Sequence, residues 1–336
     1  MREAMFYERE GSNQVRCGLC RFTCLISDGA RGVCAVRENR GGTLYSLVYG
    51  RLCAEHADPI EKKPLFHVMP GSRSYSIATV GCNFHCRHCQ NYSISQMEQD
   101  APVRGEEQTP HAIVQRAKDH NCRSISYTYT EPTIFYEFAC DTARLAREAG
   151  LKNIFVTNGY ISRGALAAIA PFLDAANIDL KGFSEGFYRD IIHARLSEVL
   201  DSIIDYRNQG VWLELTTLII PGLNDSEDEL RGMAEFIASN LGIDTPWHVT
   251  GFYPIYKMTD RPRTPAATLR MAREIGIAAG LRYVYGGNVP GAGGENTCCP
   301  SCSSLLIKRH GFAVGACRIS NGTCPDCGIT IAGIGI

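Results

Sequence analysis

The chain contains the stretch Cys82-Asn83-Phe84-His85-Cys86-Arg87-His88-Cys89, in which three thiols have a C-x3-C-x2-C spacing. It follows residues 75–80, a run of β-branched and aromatic side chains that predicts a β-strand. Three thiolates can hold a four-iron cluster while one iron keeps no protein ligand, and activation of a molecule at a metal requires such an open position. We therefore predict a [4Fe-4S] cluster at these three cysteines.

Zinc is the main alternative at the same three thiols. His85 or His88 could supply the fourth ligand that a tetrahedral zinc site needs. Zinc sites usually use cysteine pairs separated by two residues, whereas Cys82 and Cys86 are separated by three. The spacing favours the cluster over zinc, and also over an accidental grouping of buried cysteines.

Residues 74–286 alternate between strand-like and helix-like patterns, which is typical of repeated βα units with a parallel sheet. The strand candidates are residues 75–80, 124–129, 153–157, 176–180, 211–219, 247–252 and 282–285. The helix candidates are residues 110–120, 133–149, 162–172, 196–209, 227–241 and 265–279. The start and stop signals of these helices include Ser162, Ser226, Thr264, Gly150, Gly210 and Gly280.

The repeats predict an α/β fold, a partial or complete (βα) barrel of the TIM type, although a doubly wound open sheet shares this periodicity. On such a barrel the chemistry lies at the carboxyl ends of the strands, which is where the cysteine triplet is expected. The chain is expected to have three segments: an N-terminal Cys-rich module at 1–73, the barrel at 74–286, and a C-terminal Cys-rich module at 287–336. The last boundary falls in a Gly-rich stretch that begins at Gly286.

Composition places the chain among ordinary globular proteins, with 45% hydrophobic and 21% charged residues. The formal net charge is -1 and no run of Lys or Arg stands out, so no dedicated nucleic-acid surface is expected. The N-terminus is polar and no segment is apolar enough to span a membrane, which predicts a cytoplasmic protein with no membrane partner. In that reducing compartment the 16 cysteines are not expected to form disulfides, and their grouping indicates metal ligands, apart from the isolated Cys53, Cys122 and Cys140.

Two C-x2-C pairs lie near the C-terminus, Cys299 with Cys302 and Cys324 with Cys327. Their separation matches a four-cysteine zinc ribbon, in which the metal has no open position and serves a structural purpose. Cys298 is an alternative to Cys299 as a ligand, and rubredoxin-like iron is an alternative to zinc.

Four further cysteines near the N-terminus, Cys17, Cys20, Cys24 and Cys34, are numerous enough for another metal site. Their spacing is irregular and therefore less specific. A structural zinc ion, an auxiliary iron–sulfur cluster and unligated buried cysteines all remain open, in that order of preference.

The triplet and the strand ends after it resemble those of the radical S-adenosylmethionine (radical SAM) superfamily, over most of residues 74–285. The resemblance implies that a [4Fe-4S] cluster reductively cleaves SAM to a 5′-deoxyadenosyl radical, which abstracts hydrogen from a substrate. It also implies an external one-electron donor, a ferredoxin or a flavodoxin.

The resemblance further implies where SAM binds. Thr130 and Glu131 match the segment that binds the methionine amino group, and His88 stands where many relatives have an aromatic residue that packs on adenine. The other cofactor-binding candidates lie at later strand ends and are Asn158, Asp179, Lys181 and His248. Each also has an ordinary interpretation, as a helix cap, a turn residue or a hydrogen-bonded core side chain.

Two narrower resemblances bear on function. Asp179, Lys181, residues 221–225 and His248 resemble glycyl-radical-enzyme activases such as those of pyruvate formate-lyase, so activation of a partner enzyme is an alternative function. Residues 57–65, with the two Cys-rich modules, are similar to the radical SAM enzymes of the AmmeMemoRadiSam system, which implies Memo-like and AMMECR-like partners. A non-catalytic metal scaffold or electron carrier is the alternative from a different class. The substrate, the product and the oligomeric state do not follow from the residues.

Overall fold

A computed structural model of the chain describes residues 1–289 and 294–336. The Gly-rich stretch predicted as a segment boundary contains residues 290–293, which lie outside the described residues.

The strands are short in the N-terminal and C-terminal regions and longer in the middle of the chain. They are β1 Arg2–Glu3, β2 Tyr7–Glu10, β3 Gln14–Cys17, β4 Leu25–Ile26, β5 Arg37–Arg40, β6 Thr43–Ser46, β7 Arg51–Leu52, β8 Ala54–Pro59, β9 Arg73–Ala78, β10 Glu106–Glu107, β11 Ser124–Tyr127, β12 Lys152–Thr157, β13 Ala175–Asp179, β14 Trp212–Ile219, β15 Trp247–Gly251, β16 Val284–Gly287, β17 Thr297–Cys298, β18 Leu305–His310 and β19 Ala313–Cys317.

The helices lie mainly between the middle strands. They are α1 Tyr92–Ser95, α2 Pro110–Asp119, α3 Tyr136–Glu148, α4 Arg163–Ile169, α5 Glu185–Phe187, α6 Leu196–Asn208, α7 Glu227–Asn240 and α8 Ala266–Ala278. Shorter 3-10 turns occupy Ile60–Lys62, Pro132–Phe135 and Ala170–Phe172, and a π-helical turn occupies Tyr188–Ile192.

Backbone contacts group the described residues into two compact units. The first contains Met1–Asp58, Arg73–Ala176 and Ser197–Val211, and the second contains Pro59–Ser72, Asn177–Leu196 and Trp212–Ile336. This grouping differs from the three sequence segments, which remain a prediction about module boundaries.

The first unit is built around the parallel strands β9, β11 and β12. Ile125 of β11 pairs with Tyr75 of β9 and with Asn153 of β12. All four residues of β11 are buried, as expected for a parallel strand that is covered on both faces. Helices α2 and α3 connect these strands, so the carboxyl ends of all three meet at one edge.

The first unit also contains two small antiparallel sheets that the sequence analysis did not predict. Their strand orders are β1-β6-β5 and β2-β3-β4. These strands are rich in charged residues and lack the β-branched runs of the middle strands. Their hairpins nevertheless position the N-terminal cysteines.

The second unit repeats the parallel arrangement with β14, β15 and β16. His248 of β15 pairs with Thr216 of β14 and with Tyr285 of β16. The antiparallel sheet β17-β18-β19 follows near the C-terminus. It contributes Leu306 and Ile307 to a buried cluster that also contains Phe66 and Tyr285.

The predicted elements of the βα region are confirmed. Each of the seven strand candidates matches one of β9 and β11 to β16 within two residues, and the six helix candidates match α2, α3, α4, α6, α7 and α8. Ser162 and Ser226 cap α4 and α7 by accepting backbone N–H groups. Past the ends of the preceding helices, Gly150, Gly210 and Gly280 have the positive φ angles that favour glycine.

One start signal was wrong. Pro265 rather than Thr264 occupies the N-cap position of α8, and its side chain makes no capping hydrogen bond. The Thr264 hydroxyl is used elsewhere, because it accepts the Phe252 N–H at 2.8 Å and donates to the Ile219 carbonyl at 2.5 Å.

Within the described part of the chain, every helix is too short or too polar to cross a lipid bilayer.

Candidate functional site

The cysteine triplet begins shortly after β9, at the edge where the parallel strands of the first unit end. The backbone reverses at Gly81, which has φ +97°. A Cβ atom on Gly81 would lie 2.7 Å from Val36 Cγ1 and 2.9 Å from the Cys34 carbonyl oxygen. Glycine is therefore required here both for the backbone conformation and for the close approach of residues 34–36.

The sulfur atoms of the triplet have local hydrogen-bond partners. The Phe84 N–H donates to Cys82 Sγ at 3.3 Å, and the Ser95 hydroxyl lies 3.1 Å from Cys89 Sγ. Burial raises the pKa of Cys82 well above its ordinary value, and the negative charges of Glu131 and Cys86 add to the shift. A metal centre bound at this thiol would oppose the shift and favour the thiolate.

The spacing of the triplet does not suit a single metal ion. Among residues 1–289 and 294–336, the one group of three or more Cys, His, Asp or Glu ligand atoms that all lie within 4.8 Å of one another is the C-terminal cysteine quartet. The three sulfur atoms of the triplet therefore do not all lie within that distance of one another. His85 is also engaged, because its ring nitrogens lie 3.0 Å from Gln96 Oε1 and 3.3 Å from the Val33 carbonyl oxygen.

Asn158, directly after β12, lies beside the triplet. Its Nδ2 donates to Asn83 Oδ1 at 2.7 Å and lies 3.9 Å from Cys82 Sγ. Asn83 is 1% exposed, and its own Nδ2 has no hydrogen-bond partner among the described residues. A buried amide donor that no protein group satisfies fits a site that holds a further group with acceptor atoms.

Glu131 is fully buried, and protein donors surround its carboxylate. It accepts the Thr133 N–H and hydroxyl at 3.0 and 2.6 Å, the Thr157 hydroxyl at 2.7 Å, and the Asn158 N–H at 2.8 Å. Burial raises the pKa of Glu131 above its ordinary value, although these hydrogen bonds oppose the shift. The side chain therefore caps the 3-10 turn and ties the end of β12 to the segment after β11.

The neighbouring candidates Thr130 and His88 also lie in the first unit. The Thr130 hydroxyl donates to the Thr79 carbonyl at 2.8 Å, and Tyr129 before it has an unusual left-handed φ of +62°. His88 is 4% exposed. Their roles in cofactor binding remain predictions.

The other three predicted cofactor residues lie in the second unit. Lys181 Nζ donates to Asp179 Oδ2 at 2.7 Å, and His248 Nε2 donates to Glu214 Oε2 at 2.7 Å. Asn224, inside the motif at 221–225, donates to the Lys181 carbonyl at 2.7 Å. Binding of SAM by Asp179, Lys181 and His248 likewise remains a prediction.

Glu214 was missed by the sequence analysis, although an acidic residue inside the apolar strand β14 was a detectable signal. Its carboxylate accepts the backbone N–H groups of Phe66 and His67 at 2.9 and 2.8 Å, besides His248. Burial acts to raise the pKa of Glu214, but the hydrogen bond and charge of His248, with the other partners, hold it below its ordinary value. His67 in turn donates through Nδ1 to the Ala332 carbonyl at 2.7 Å.

The C-terminal cysteine quartet converges as predicted. Cys299 Sγ lies 3.6 Å from Cys327 Sγ, and Cys302 Sγ lies 3.7 Å from Cys324 Sγ. Cys298 is exposed and does not belong to this group. The quartet is thus able to bind one metal ion, and Cys299 rather than Cys298 is one of its four ligands.

The four N-terminal cysteines also lie near one another, but they surround a cavity. They line one cavity, whose wall also includes Arg37 and Asn83.

Comparisons with known proteins place this site in a family. The sequence pattern of the Radical SAM superfamily matches residues 76–237, which include the triplet and Asn158. The chain belongs to the radical SAM superfamily. The superfamily implies SAM and a [4Fe-4S] cluster, and the three free thiols of the triplet fit a cluster held by three thiolates.

This radical SAM protein is 49% identical to an uncharacterised protein of Methanocaldococcus jannaschii, over 98% of both chains. It is 24% identical to the pyruvate formate-lyase-activating enzyme of Clostridium pasteurianum, over 56% of this chain and 81% of that enzyme. The low identity to this activase marks a distant relationship.

Solved structures show the fold. Streptococcus suis SuiB bound to S-adenosylmethionine has a TM-score of 0.53 at 14% identity, covering 72% of this chain and 56% of that one. A radical SAM methyltransferase from Sphaerobacter thermophilus has a TM-score of 0.50 at 14% identity, covering 69% and 70%. The radical SAM fold is a partial TIM-type α/β barrel, so the prediction of a barrel rather than an open sheet is confirmed.

Proposed function

We propose that the chain is an enzyme that reductively cleaves SAM at a [4Fe-4S] cluster held by Cys82, Cys86 and Cys89. The observation that carries the proposal is the wide spacing of these three sulfur atoms at the carboxyl edge of the first unit. When bound, the reduced cluster and SAM together supply a 5′-deoxyadenosyl radical that abstracts hydrogen from a substrate. The substrate is not identified by any residue described above.

Residues of the chain have three roles in this proposal. The Phe84 N–H donates to Cys82 Sγ and so favours the thiolate that binds iron. Asn158 and Asn83 link the end of β12 to the cysteine loop, which fixes the distance between strand and loop. Burial of Cys86 and Asn158 keeps water from the reacting atoms.

SAM itself is proposed to contact the strand ends. Thr130, Asn158 and His88 are the candidates in the first unit. Because the Glu131 carboxylate is already surrounded by Thr133, Thr157 and Asn158, we assign Glu131 a positioning role. In the second unit, Asp179, Lys181 and His248 are the corresponding candidates.

The test is anaerobic reconstitution with iron and sulfide, reduction with dithionite, and measurement of 5′-deoxyadenosine formed from SAM. The Cys86→Ala variant is expected to form no more product than a sample without protein. Cys122→Ala is the matched control, because Cys122 is equally buried in the same unit but lies outside the triplet, and it should retain activity. Equal product from wild type and Cys86→Ala, or zinc bound at the triplet, would contradict the proposal.

Glycyl-radical-enzyme activation is a second candidate, favoured by the relationship to the Clostridium pasteurianum activase. A glycyl radical signal after mixing the reconstituted, reduced protein and SAM with a candidate glycyl-radical enzyme would support it. A non-catalytic electron carrier instead predicts that SAM leaves the electron paramagnetic resonance (EPR) spectrum of the cluster unchanged. The two outcomes separate these alternatives.

The proposal also names partner proteins, a cellular location and the metal of the C-terminal quartet. A ferredoxin or flavodoxin is the proposed electron donor, and Memo-like and AMMECR-like proteins are candidate partners. Zinc is the proposed metal of the C-terminal quartet, since four cysteines with no open position suit a structural site. We expect these events to take place in the cytoplasm.

A further inference from the structure

The cavity lined by the four N-terminal cysteines has no role in the function proposed above. Cys17 ends β3, Cys20 and Cys24 lie in the loop to β4, and Cys34 precedes β5. Backbone hydrogen bonds fix this arrangement, since Cys17 N–H donates to the Cys24 carbonyl at 2.9 Å and Thr23 N–H donates to the Cys20 carbonyl at 3.2 Å. Four thiols from separate turns thus line one cavity.

The four N-terminal thiols are not gathered as the ligands of a single metal ion would be. Four thiolates around one zinc ion have zinc–sulfur distances of about 2.3 Å, which bring the sulfur atoms close together. The C-terminal quartet has that arrangement, with all ligand atoms within 4.8 Å of one another, whereas within the described residues no three of the N-terminal thiols do. A ligand with several metal atoms matches the wider spacing.

Arg37 is the second observation that points to a ligand. It lines the cavity, is 1% exposed, and has two nitrogens, Nε and Nη1, with no hydrogen-bond partner in the described part of the chain. Its Nη2 donates to the Met5 carbonyl at 2.6 Å and to Glu137 Oε1 at 2.8 Å. Leaving buried donors unsatisfied costs about 1–3 kcal/mol each, so a ligand with acceptor atoms and negative charge is favoured here.

Asn83 provides a further unsatisfied donor in the same wall, because its buried Nδ2 also has no partner within the described residues. Asn83 belongs to the triplet loop, and its Oδ1 lies 3.9 Å from Cys82 Sγ. The Cys34 carbonyl approaches Gly81 from the other side of the loop. The cavity therefore lies next to the triplet loop, within the first unit.

We propose that Cys17, Cys20, Cys24 and Cys34 bind a second iron–sulfur cluster of the four-iron class. Its inorganic sulfides and the four thiolates would accept the free N–H groups of Arg37 and Asn83. With four protein ligands, all irons are coordinated, so this cluster has no open position for SAM. The site differs in this respect from the triplet.

The experiment uses the full chain, reconstituted anaerobically with iron and sulfide. Wild type is expected to bind about eight irons per chain, and the triple variant Cys82→Ala/Cys86→Ala/Cys89→Ala about four, since each four-iron cluster carries four. Adding Cys20→Ser and Cys34→Ser to the triple variant should remove the remaining iron. The matched control adds Cys53→Ser and Cys122→Ser to the triple variant instead, and should keep about four irons.

Spectroscopy separates this proposal from SAM cleavage. In the triple variant, the EPR spectrum of the reduced remaining cluster should be unaffected by SAM. Zinc bound by the N-terminal cysteines, or iron content unchanged by Cys20→Ser/Cys34→Ser, would overturn the proposal. If the triple variant fails to fold, wild type alone decides, because about eight irons support a second cluster and about four exclude it.

Discussion

The two cysteine quartets at the ends of the chain have the same number of thiols but different geometry. In the C-terminal quartet, sulfur atoms from opposite pairs lie 3.6 and 3.7 Å apart. In the N-terminal quartet, the thiols surround a cavity whose wall also includes the buried Arg37. Equal numbers of cysteines therefore do not imply equal sites, and we propose that the two quartets bind groups of different size.

The difference originates in local structure. Each C-terminal pair has two intervening residues and lies on its own tight turn, so both thiols of a pair already face the same point. The N-terminal cysteines have two, three and nine intervening residues and lie on different hairpin segments. Their convergence depends on how the hairpins pack, and the resulting space is set by neighbours such as Arg37 and Ile134.

The largest expected effect is at the C-terminal quartet. Cys324→Ser should release one metal ion per chain and unfold the region around β18, because binding of structural zinc contributes roughly 10–16 kcal/mol in small zinc domains. Metal analysis and amide hydrogen exchange of β18 measure both effects. Cys317→Ser is the control, since Cys317 is exposed in β19 and lies outside the quartet. Retention of the metal by Cys324→Ser would show that the quartet is not a single-ion site.

A smaller effect is expected at the buried ion pair beside the N-terminal cavity. Glu137→Gln leaves Arg37 as an unpaired buried charge and should reduce the free energy of unfolding by about 3–5 kcal/mol in the metal-free protein. A negatively charged cluster would compensate Arg37, so the loss should be smaller after reconstitution. Anaerobic denaturant unfolding of both forms measures the difference.

The control for this pair is Asp190→Asn, which breaks an exposed ion pair with Arg189. It should change stability by less than about 1 kcal/mol in both forms. If Glu137→Gln lowers the free energy of unfolding equally with and without reconstitution, no negatively charged group compensates Arg37 at the N-terminal quartet.

The smallest effect concerns the contact between the N-terminal cysteines and the triplet. Gly81→Ala adds a methyl group within 3 Å of Val36 and Cys34 at a positive φ, and should destabilise the protein by roughly 2–4 kcal/mol. Gly280→Ala has a similar φ, +96°, but its nearest neighbour lies at 3.9 Å, so it should cost only about 1–2 kcal/mol. Thermal unfolding of the two variants measures the difference. Equal costs would mean that residues 34–36 do not pack closely against the triplet loop.

The sequence predicted the βα region well because periodicity and caps are local signals. Strands such as β11 and helices such as α7 have continuous patterns with clear start residues. The small antiparallel sheets of the N-terminal region were not predicted, because strands such as Tyr7–Glu10 are mostly charged and owe their structure to pairing with distant neighbours.

The candidate site was predictable in its residue types but not in its pairings. The triplet, Asn158 and the C-terminal quartet could be recognised from spacing and from position at strand ends. The pairing of His248 with Glu214 joins residues 34 positions apart, and that of Arg37 with Glu137 joins residues 100 positions apart. Neither follows from a local pattern, since it depends on which side chains the fold buries together.

The hydrogen bond between His67 and Ala332 has a consequence for biosynthesis. The two residues are separated by 265 positions, and residues 59–72 belong to the compact unit that also contains residues 212–336. Ribosomes add about 5–20 residues per second, so roughly 10–50 s pass between the synthesis of the two residues. The early segment has to wait unpaired on the nascent polypeptide, and the second unit reaches its final structure only after Ala332 has been synthesised.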